Sequence, residues 1–246
     1  MSSQVIQSGI KYHNRVQLEY FGQRIKKTMI PVESPYVMRH IQEFIRFSGV
    51  SYDDDILEVG CGMGKFTFPL LKQGLHVAGL DLSPFLLQKL LEHNNNRFNI
   101  PLIATDVFDA PEEFDEKFDY VVGFFTLHHF HNLPLCFQRM SRLVKPGGKL
   151  VFVEPNAWNI LYYVQIFCTP GMSWEGDKGV ADMRWSKFEE ARKAAGLENL
   201  ELKTYGFYPP QLTNTRFGQK TEPLLERFPL WKKALAFQLI KMEKPL

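Results

Sequence analysis

The 246 residues, 45% hydrophobic and 23% charged, have the composition of an average globular chain. That excludes a disordered or collagen-like protein and fits one large domain, or one with an attached cap, on the usual scale of ~150 residues per domain. Cys61, Cys136 and Cys168 are odd in number and far apart, which excludes a disulfide framework or a thiolate zinc site and points to a reducing cytoplasm. The net charge of +2 hides an acidic middle: residues 53–125 carry five Lys/Arg against thirteen Asp/Glu, residues 1–52 seven against three, and residues 201–246 eight against four. This disfavours a nucleic-acid-coating surface, which needs a contiguous basic face, and leaves basic ends suited to an anionic substrate or to peripheral membrane contact. The first residues lack the apolar core of a secretion signal. The longest uncharged stretches, 120–138 and 156–174, are broken by His, Asn, Gln, Pro or Gly, so no transmembrane segment is expected.

In chain order, residues 36–47 place Val37, His40, Ile41, Phe44 and Ile45 at helical spacing, with Ser34 as cap and Pro35 at the first helical position. A turn at 53–55 leads to a short buried strand, 56–59, then a glycine cluster and a helix at 65–73. A second strand spans 76–81, and Ser83-Pro84 opens the next helix. A third strand, 101–104, ends at Thr105-Asp106. The fourth strand is 118–124, followed by a helix at 134–144, the turn Lys145-Pro146-Gly147-Gly148 and a fifth strand at 149–154. Strands alternating with helices predict βαβ units and a parallel sheet. After residue 155 the alternation lapses into an aromatic-rich stretch, then a helix at 186–195 and two last strands at 200–207 and 234–244. The organisation expected is a helical cap at 1–52 and a main domain at 53–246 with a lid insertion at about 156–185.

The strongest chemical signal is Leu57-Glu58-Val59-Gly60-Cys61-Gly62-Met63-Gly64. Glycines between a strand and a helix let backbone approach a ligand closely. Asp81, about 20 residues on at the end of the second strand, is placed to accept hydrogen bonds from ribose hydroxyls. Together they indicate an adenosine-type ligand. A dinucleotide fits less well, because the third glycine falls one position early and Lys65 stands in its place. Glu58 suits a cationic ligand better than a pyrophosphate.

The run ILEVGCGMGKFT, followed in order by GLDLS, ATDVFDAP, FDYVVGFFTLHHF and LVKPGGKLVFVEPN, resembles the class I S-adenosylmethionine-dependent methyltransferases, and is similar to their small-molecule branch. The likeness covers about residues 53–155; the rest follows only the general layout. It implies a Rossmann-like α/β fold with a seven-stranded sheet of order 3-2-1-4-5-7-6, strand 7 antiparallel, flanked by helices. It implies S-adenosylmethionine as cofactor and S-adenosylhomocysteine as product. The roles it implies are Gly60, Gly62 and Gly64 against the methionine portion, Glu58 supporting their loop, Asp81 on the ribose and Leu82 against the adenine. Asp106 would accept from the adenine amino group with the Val107 backbone beside it, and Phe124 would pass under the methionine portion.

Methyl transfer from a sulfonium is an in-line displacement that asks mainly for alignment. A base is needed only for a protonated acceptor. His128 and His129, in Leu127-His128-His129-Phe130-His131 after the fourth strand, are the candidate bases, with structural packing the alternative for both. No metal is expected, since no Cys or carboxylate stands near these histidines in sequence and adjacent rings should diverge. The acceptor pocket is expected from Tyr20 and Tyr36 of the cap, Glu154 and Asn156 at the end of the fifth strand, and Trp158, Tyr162 and Trp174 of the lid. Such aromatics suit an apolar or ring-bearing acceptor, or equally a lid packed on itself. The stretch 226–244, with Phe228, Leu235 and Phe237 beside Arg227, Lys232 and Lys233, reads as core, with membrane contact the competing reading. The function expected is methyl transfer to a hydroxyl oxygen of a small molecule. The alternatives are N-methylation of an amine, a lipid-linked acceptor, and a non-catalytic adenosine-ligand scaffold.

Overall fold

The computed structural model describes residues 3–21, 25–168 and 173–246, with the side chains of 3–10, Tyr20, Lys27 and 229–231 outside the description. The chain begins with α1 (Ser3–Phe21) and α2 (Pro35–Ser48), and then enters the sheet at β1 (Asp55–Val59). α3 (Thr67–Lys72), β2 (His76–Asp81), α4 (Pro84–Asn94), β3 (Leu102–Ala104), β4 (Phe118–Phe124), α5 (Leu133–Leu143) and β5 (Val144–Pro155) follow. The C-terminal part holds α6 (Ile160–Cys168), α7 (Trp174–Asp177), α8 (Trp185–Ala194), β6 (Glu198–Tyr205), α9 (Pro210–Thr213), α10 (Arg216–Leu225) and β7 (Phe237–Glu243). The seven strands lie in the order β3-β2-β1-β4-β5-β7-β6. β1 pairs parallel with β2 and β4, and β7 is antiparallel to both β5 and β6, as expected from the sequence.

The central strands are apolar on both faces because both are covered, as in parallel α/β sheets. Alternate residues turn to opposite sides. Leu57, Val121 and Phe152 join Phe137 and Met140 of α5 and Phe188 of α8 in one core. Their neighbours Ile56, Val122 and Val151 join Val37, Ile41 and Phe44 of α2 in a second core on the other face. α2 is therefore packed directly on the sheet. Its start matches the sequence expectation: Ser34 Oγ accepts from Val37 N, Pro35 opens the helix, and Gly49 closes it in the left-handed region at φ 74°.

Several boundaries differ from expectation. β5 begins at Val144 rather than 149, because the Pro146-Gly147-Gly148 bulge stays attached to the sheet: Gly147 N donates to Lys244 O, and Lys244 N to Gly148 O (both 2.9 Å). β7 begins at Phe237 rather than 234, since residues Pro229–Ala234 form a 3₁₀ turn. α6, α9 and α10 were not foreseen. Among the described residues no helix is long and apolar enough to cross a membrane.

Phe44 is fully buried and meets Phe124 edge-on at 5.3 Å, bridging α2 to the sheet. Phe44→Ala should lower unfolding free energy in denaturant titration by about 3–5 kcal/mol. A loss below about 1 kcal/mol would mean that α2 is not part of the folding core.

Candidate active site

The carboxyl ends of β1, β2, β4 and β5 converge on one edge of the sheet, and the turns after them build the site. After β1, Gly60 and Gly62 take φ of 70° and 53°, a region that disfavours side chains. At Gly60 a Cβ would fall 2.0 Å from Thr126 Oγ1, so the loop after β4 lies directly on the glycine turn. At Gly62 no atom of the described residues lies within 4 Å of that position, so this backbone is open among them. Asp81 at the tip of β2 holds the turn: Oδ2 accepts from Gly62 N and Oδ1 from Ser83 N, each at 2.8 Å. Burial pushes its carboxyl up, partly offset by the two N–H donors from Ser83 and Gly62. Each oxygen keeps a second lone pair for a hydroxyl. Leu82, half-buried, follows it.

Glu58 points inward beneath the turn and accepts from Thr67 Oγ1 at 2.6 Å, tying β1 to the start of α3. Asp106 caps the short turn Val107–Asp109 by accepting from Phe108 N, with Val107 buried behind it. Asn14 Nδ2 also donates to Asp106, and His13 Nε2 lies 2.6 Å from His129 O, so α1 lies across this edge from the β3 turn to the β4 loop. Neither His13 nor Asn14 carried any sequence signal, being ordinary polar residues on an amphipathic helix.

Beyond β4, Glu154 gathers the loop. It is fully buried; Oε1 accepts from Thr126 N (2.9 Å) and Leu127 N (2.6 Å), and Oε2 lies 2.6 Å from His128 Nδ1, which donates to it. His129 Nδ1 donates to Gly176 O at 3.0 Å, leaving Nε2 with its lone pair. Burial, then the neighbouring His128, hold the His129 imidazole well below its ordinary pKa, so it is neutral. The expectation of diverging rings and no nearby carboxylate is corrected. The two ring centroids are 3.9 Å apart, and the fold brings both Glu154 and Asp177 to them. One atom each of His128, His129 and Asp177 lie within 4.8 Å of one another. Burial pushes Lys26 down to about 8 against the opposing pull of Asp177, and its charge also acts on His129.

Other expected residues are committed elsewhere. The Phe124 side chain stacks on Phe66 at 4.6 Å inside the second core, so only its backbone reaches the site edge. Glu154 and Asn156 are both engaged in internal bonds: Asn156 Nδ2 donates to Lys233 O (2.9 Å) and Leu235 O (2.8 Å), while Oδ1 accepts from Trp158 N. Trp158 is exposed, and Trp174 stacks on Phe167 at 6.2 Å at the surface. The Tyr162 side chain is half-buried, and that of Tyr20 lies outside the described residues. Tyr36 joins an aromatic cage with Phe66, Phe125, Tyr205 and Phe237 around His40, a residue sequence reasoning assigned to core. His40 Nδ1 meets Tyr205 Oη at 2.5 Å, and its buried Nε2 has no partner among the described residues. Phe125 in this cage holds φ of 56°, unusual for a bulky residue and a mark of strain at the site edge.

Residues 57–152 match the family model for a methyltransferase domain. A demethylmenaquinone methyltransferase of Staphylococcus haemolyticus is 33% identical over 114 residues, 45% of this chain and 47% of that protein. The same enzyme of Staphylococcus aureus is 28% identical over 163 residues, 63% of this chain and 66% of its own. The first match thus spans about half the length of the curated relative. Haemonchus contortus phosphoethanolamine N-methyltransferase 2, solved with S-adenosyl-L-methionine, superposes with a TM-score of 0.64 at 18% identity over 95% of this chain and 57% of its own. Geranyl diphosphate C-methyltransferase of Streptomyces coelicolor gives 0.59 at 14% identity over 94% and 98%. At these identities the two structures show a shared fold.

Burial pushes the Glu58 carboxyl from its ordinary 4.5 up to about 8, and the nearby Asp81 adds to the rise against the Thr67 hydrogen bond. The folded chain therefore keeps this proton over a range where the unfolded chain sheds it. The stability it contributes is complete below about 4.5 and is lost as pH rises toward 8. Glu58→Gln should flatten the fall in unfolding free energy across that interval; an unchanged slope would show that Glu58 is ionised in the fold.

Proposed function

We propose that this chain, which belongs to the class I S-adenosylmethionine-dependent methyltransferases by its domain match and sheet order, transfers a methyl group from S-adenosylmethionine to a hydroxyl oxygen of a small-molecule acceptor. One observation carries the reading: Asp81 ties down a glycine turn whose Gly62 is open among the described residues, a cradle that a side chain would fill. When bound, the cofactor supplies a methyl group already activated on a sulfonium.

The chain's own residues then have separable tasks. The turn from Gly60 to Gly64 lies along the methionine portion, and Glu58 with Thr67 keeps that turn in place. Asp81 accepts from the ribose hydroxyls through its remaining lone pairs, Leu82 covers the adenine, and Asp106 with Val107 takes the adenine edge. His129 Nε2 is the site for the acceptor's proton, since its Nδ1–H is fixed on Gly176 O and the ring is neutral. His128, held by Glu154, is a positioning residue that sets the loop carrying His129. Within the expected cap of residues 1–52, α1 covers the site edge by reaching Asp106 and His129 while α2 belongs to the sheet's core, and the insertion at 156–185 acts as a lid. The relatives are named for a quinone, an ethanolamine phosphate and a prenyl diphosphate, so the fold serves different acceptor atoms. The aromatic surroundings and the neutral imidazole favour a ring-bearing hydroxyl acceptor here.

In calorimetric titration, Asp81→Ala should weaken S-adenosylhomocysteine binding at least tenfold, because two hydroxyls lose a charged acceptor. Unchanged affinity would remove Asp81 from the ribose. His129→Ala should keep that affinity while lowering kcat on a hydroxyl acceptor found by labelled-methyl screening, by the ~10²–10⁴ typical of a general base. Since protonation inactivates a base and this ring resists it, the acid limb of kcat/KM should lie well below 6.5. An acid limb at or above 6.5, or a fully active variant, would sink the assignment.

A further inference from the structure

Methyl transfer uses the carboxyl edge of the sheet and leaves a neighbouring surface without a role. α6 continues from the end of β5 and contains no charged residue. It buries Ile166 but exposes 77% of Ile160, 72% of Leu161 and 73% of Phe167. A contiguous apolar helix in water marks a contact surface, unlike singly scattered apolar residues.

The start of α6 is stapled to a basic turn. Asn159 Nδ2 donates to Ala234 O (2.7 Å) and Asn156 Nδ2 to Lys233 O (2.9 Å), which fixes the 229–234 turn, with exposed Lys232 and Lys233, against the entry of the helix. α10, which leads into that turn, sorts its charges by face. Glu222 points inward and accepts from Phe207 N and Tyr208 N, both at 2.8 Å. Glu226, just past the helix, accepts from Gly206 N, and both of its carboxylate oxygens accept from Arg39 Nη2. The outer face carries exposed Phe217, Leu224 and Phe228 interleaved with exposed Arg216, Lys220 and Arg227. Among the described residues none of these five cations, Arg216 and Lys220 on α10 and Arg227, Lys232 and Lys233 beyond it, is paired with a carboxylate. The sequence reading of this region as core holds for Leu235 and Phe237, but Phe228 lies outside it.

We propose that α6, the 229–234 turn and the outer face of α10 together dock on an anionic lipid bilayer. Apolar residues at helical spacing interleaved with unpaired cations are the pattern of an interfacial helix. Each Lys or Arg held near an anionic surface adds several-fold to affinity. Of the acids on these elements, Glu222 and Glu226 are held in internal bonds, and the exposed Glu175 beside α6 is paired with Lys178. Docking itself does not depend on the methyl-transfer reading. Where both hold, the site mouth at the end of β5 opens at the lipid surface and the acceptor is an amphiphile carried in the bilayer.

The test is co-sedimentation of the full chain with phosphatidylcholine vesicles, with and without phosphatidylglycerol. The wild type should partition at least tenfold more strongly onto the anionic vesicles, and added salt should abolish the difference. Lys232→Glu/Lys233→Glu should remove the preference for anionic lipid, and Leu161→Glu/Val164→Glu should lower partitioning at least tenfold. All should still bind S-adenosylhomocysteine, which certifies the fold. Equal partitioning onto both vesicles, or variants that partition like the wild type, would overturn the proposal while intact S-adenosylhomocysteine binding left the methyl-transfer reading standing. Concentration-dependent self-association lost in the Leu161→Glu/Val164→Glu variant would also overturn it, by assigning the surface to a second copy. Vesicle docking without S-adenosylhomocysteine binding would defeat the enzymatic reading alone.

Discussion

The carboxylate of Asp81 accepts the backbone N–H groups of Gly62 and Ser83, and this pair of bonds ties the turn after β1 to the turn after β2. A buried carboxylate is costly unless its lone pairs are used. Here the backbone satisfies one on each oxygen and the rest face the edge where a ligand would lie. The same logic recurs across the edge. Glu154 takes three donors from the loop after β4, and Thr126 of that loop presses on Gly60. Two interior carboxylates thus set the geometry of turns that have little packing of their own.

The parts of this design that are local in sequence could be read there. The glycine turn, Asp81 and the β4 strand were legible because each depends on neighbours a few residues away or on a hydrophobic period. The order of the sheet came through the family resemblance, since strand pairing such as β5 with β7 joins distant residues. What stayed hidden was long-range partnering. Glu154 looked like an acceptor contact because nothing in Glu154-Pro155-Asn156 says that it meets His128, 26 positions earlier. Asp177 approaches the histidines only through the path of α7, and His40 reads as one more residue on the buried stripe of α2 until the aromatic cage around it is seen. That the Phe124 side chain packs in the second core was hidden because alternation fixes which face a side chain takes only once the register and the covering helix are known.

The charge pattern also gains meaning in three dimensions. Counting residues gave a basic C-terminal stretch, which by itself describes any solvated surface. Within that stretch the fold takes Glu222 and Glu226 into internal bonds and leaves Arg216, Lys220, Arg227, Lys232 and Lys233 outward with no carboxylate partner among the described residues, next to a helix with no charge. The carboxyl edge of the sheet and this surface share the segment that leaves β5 and enters α6.

The most direct test of the account is calorimetric titration of the whole chain with S-adenosylhomocysteine, with NADH as control. The account predicts saturable one-to-one binding of S-adenosylhomocysteine in the micromolar range, about −8 kcal/mol, and no binding of NADH. Binding of NADH alone would contradict it, because the glycine turn held by Asp81 would then serve a dinucleotide.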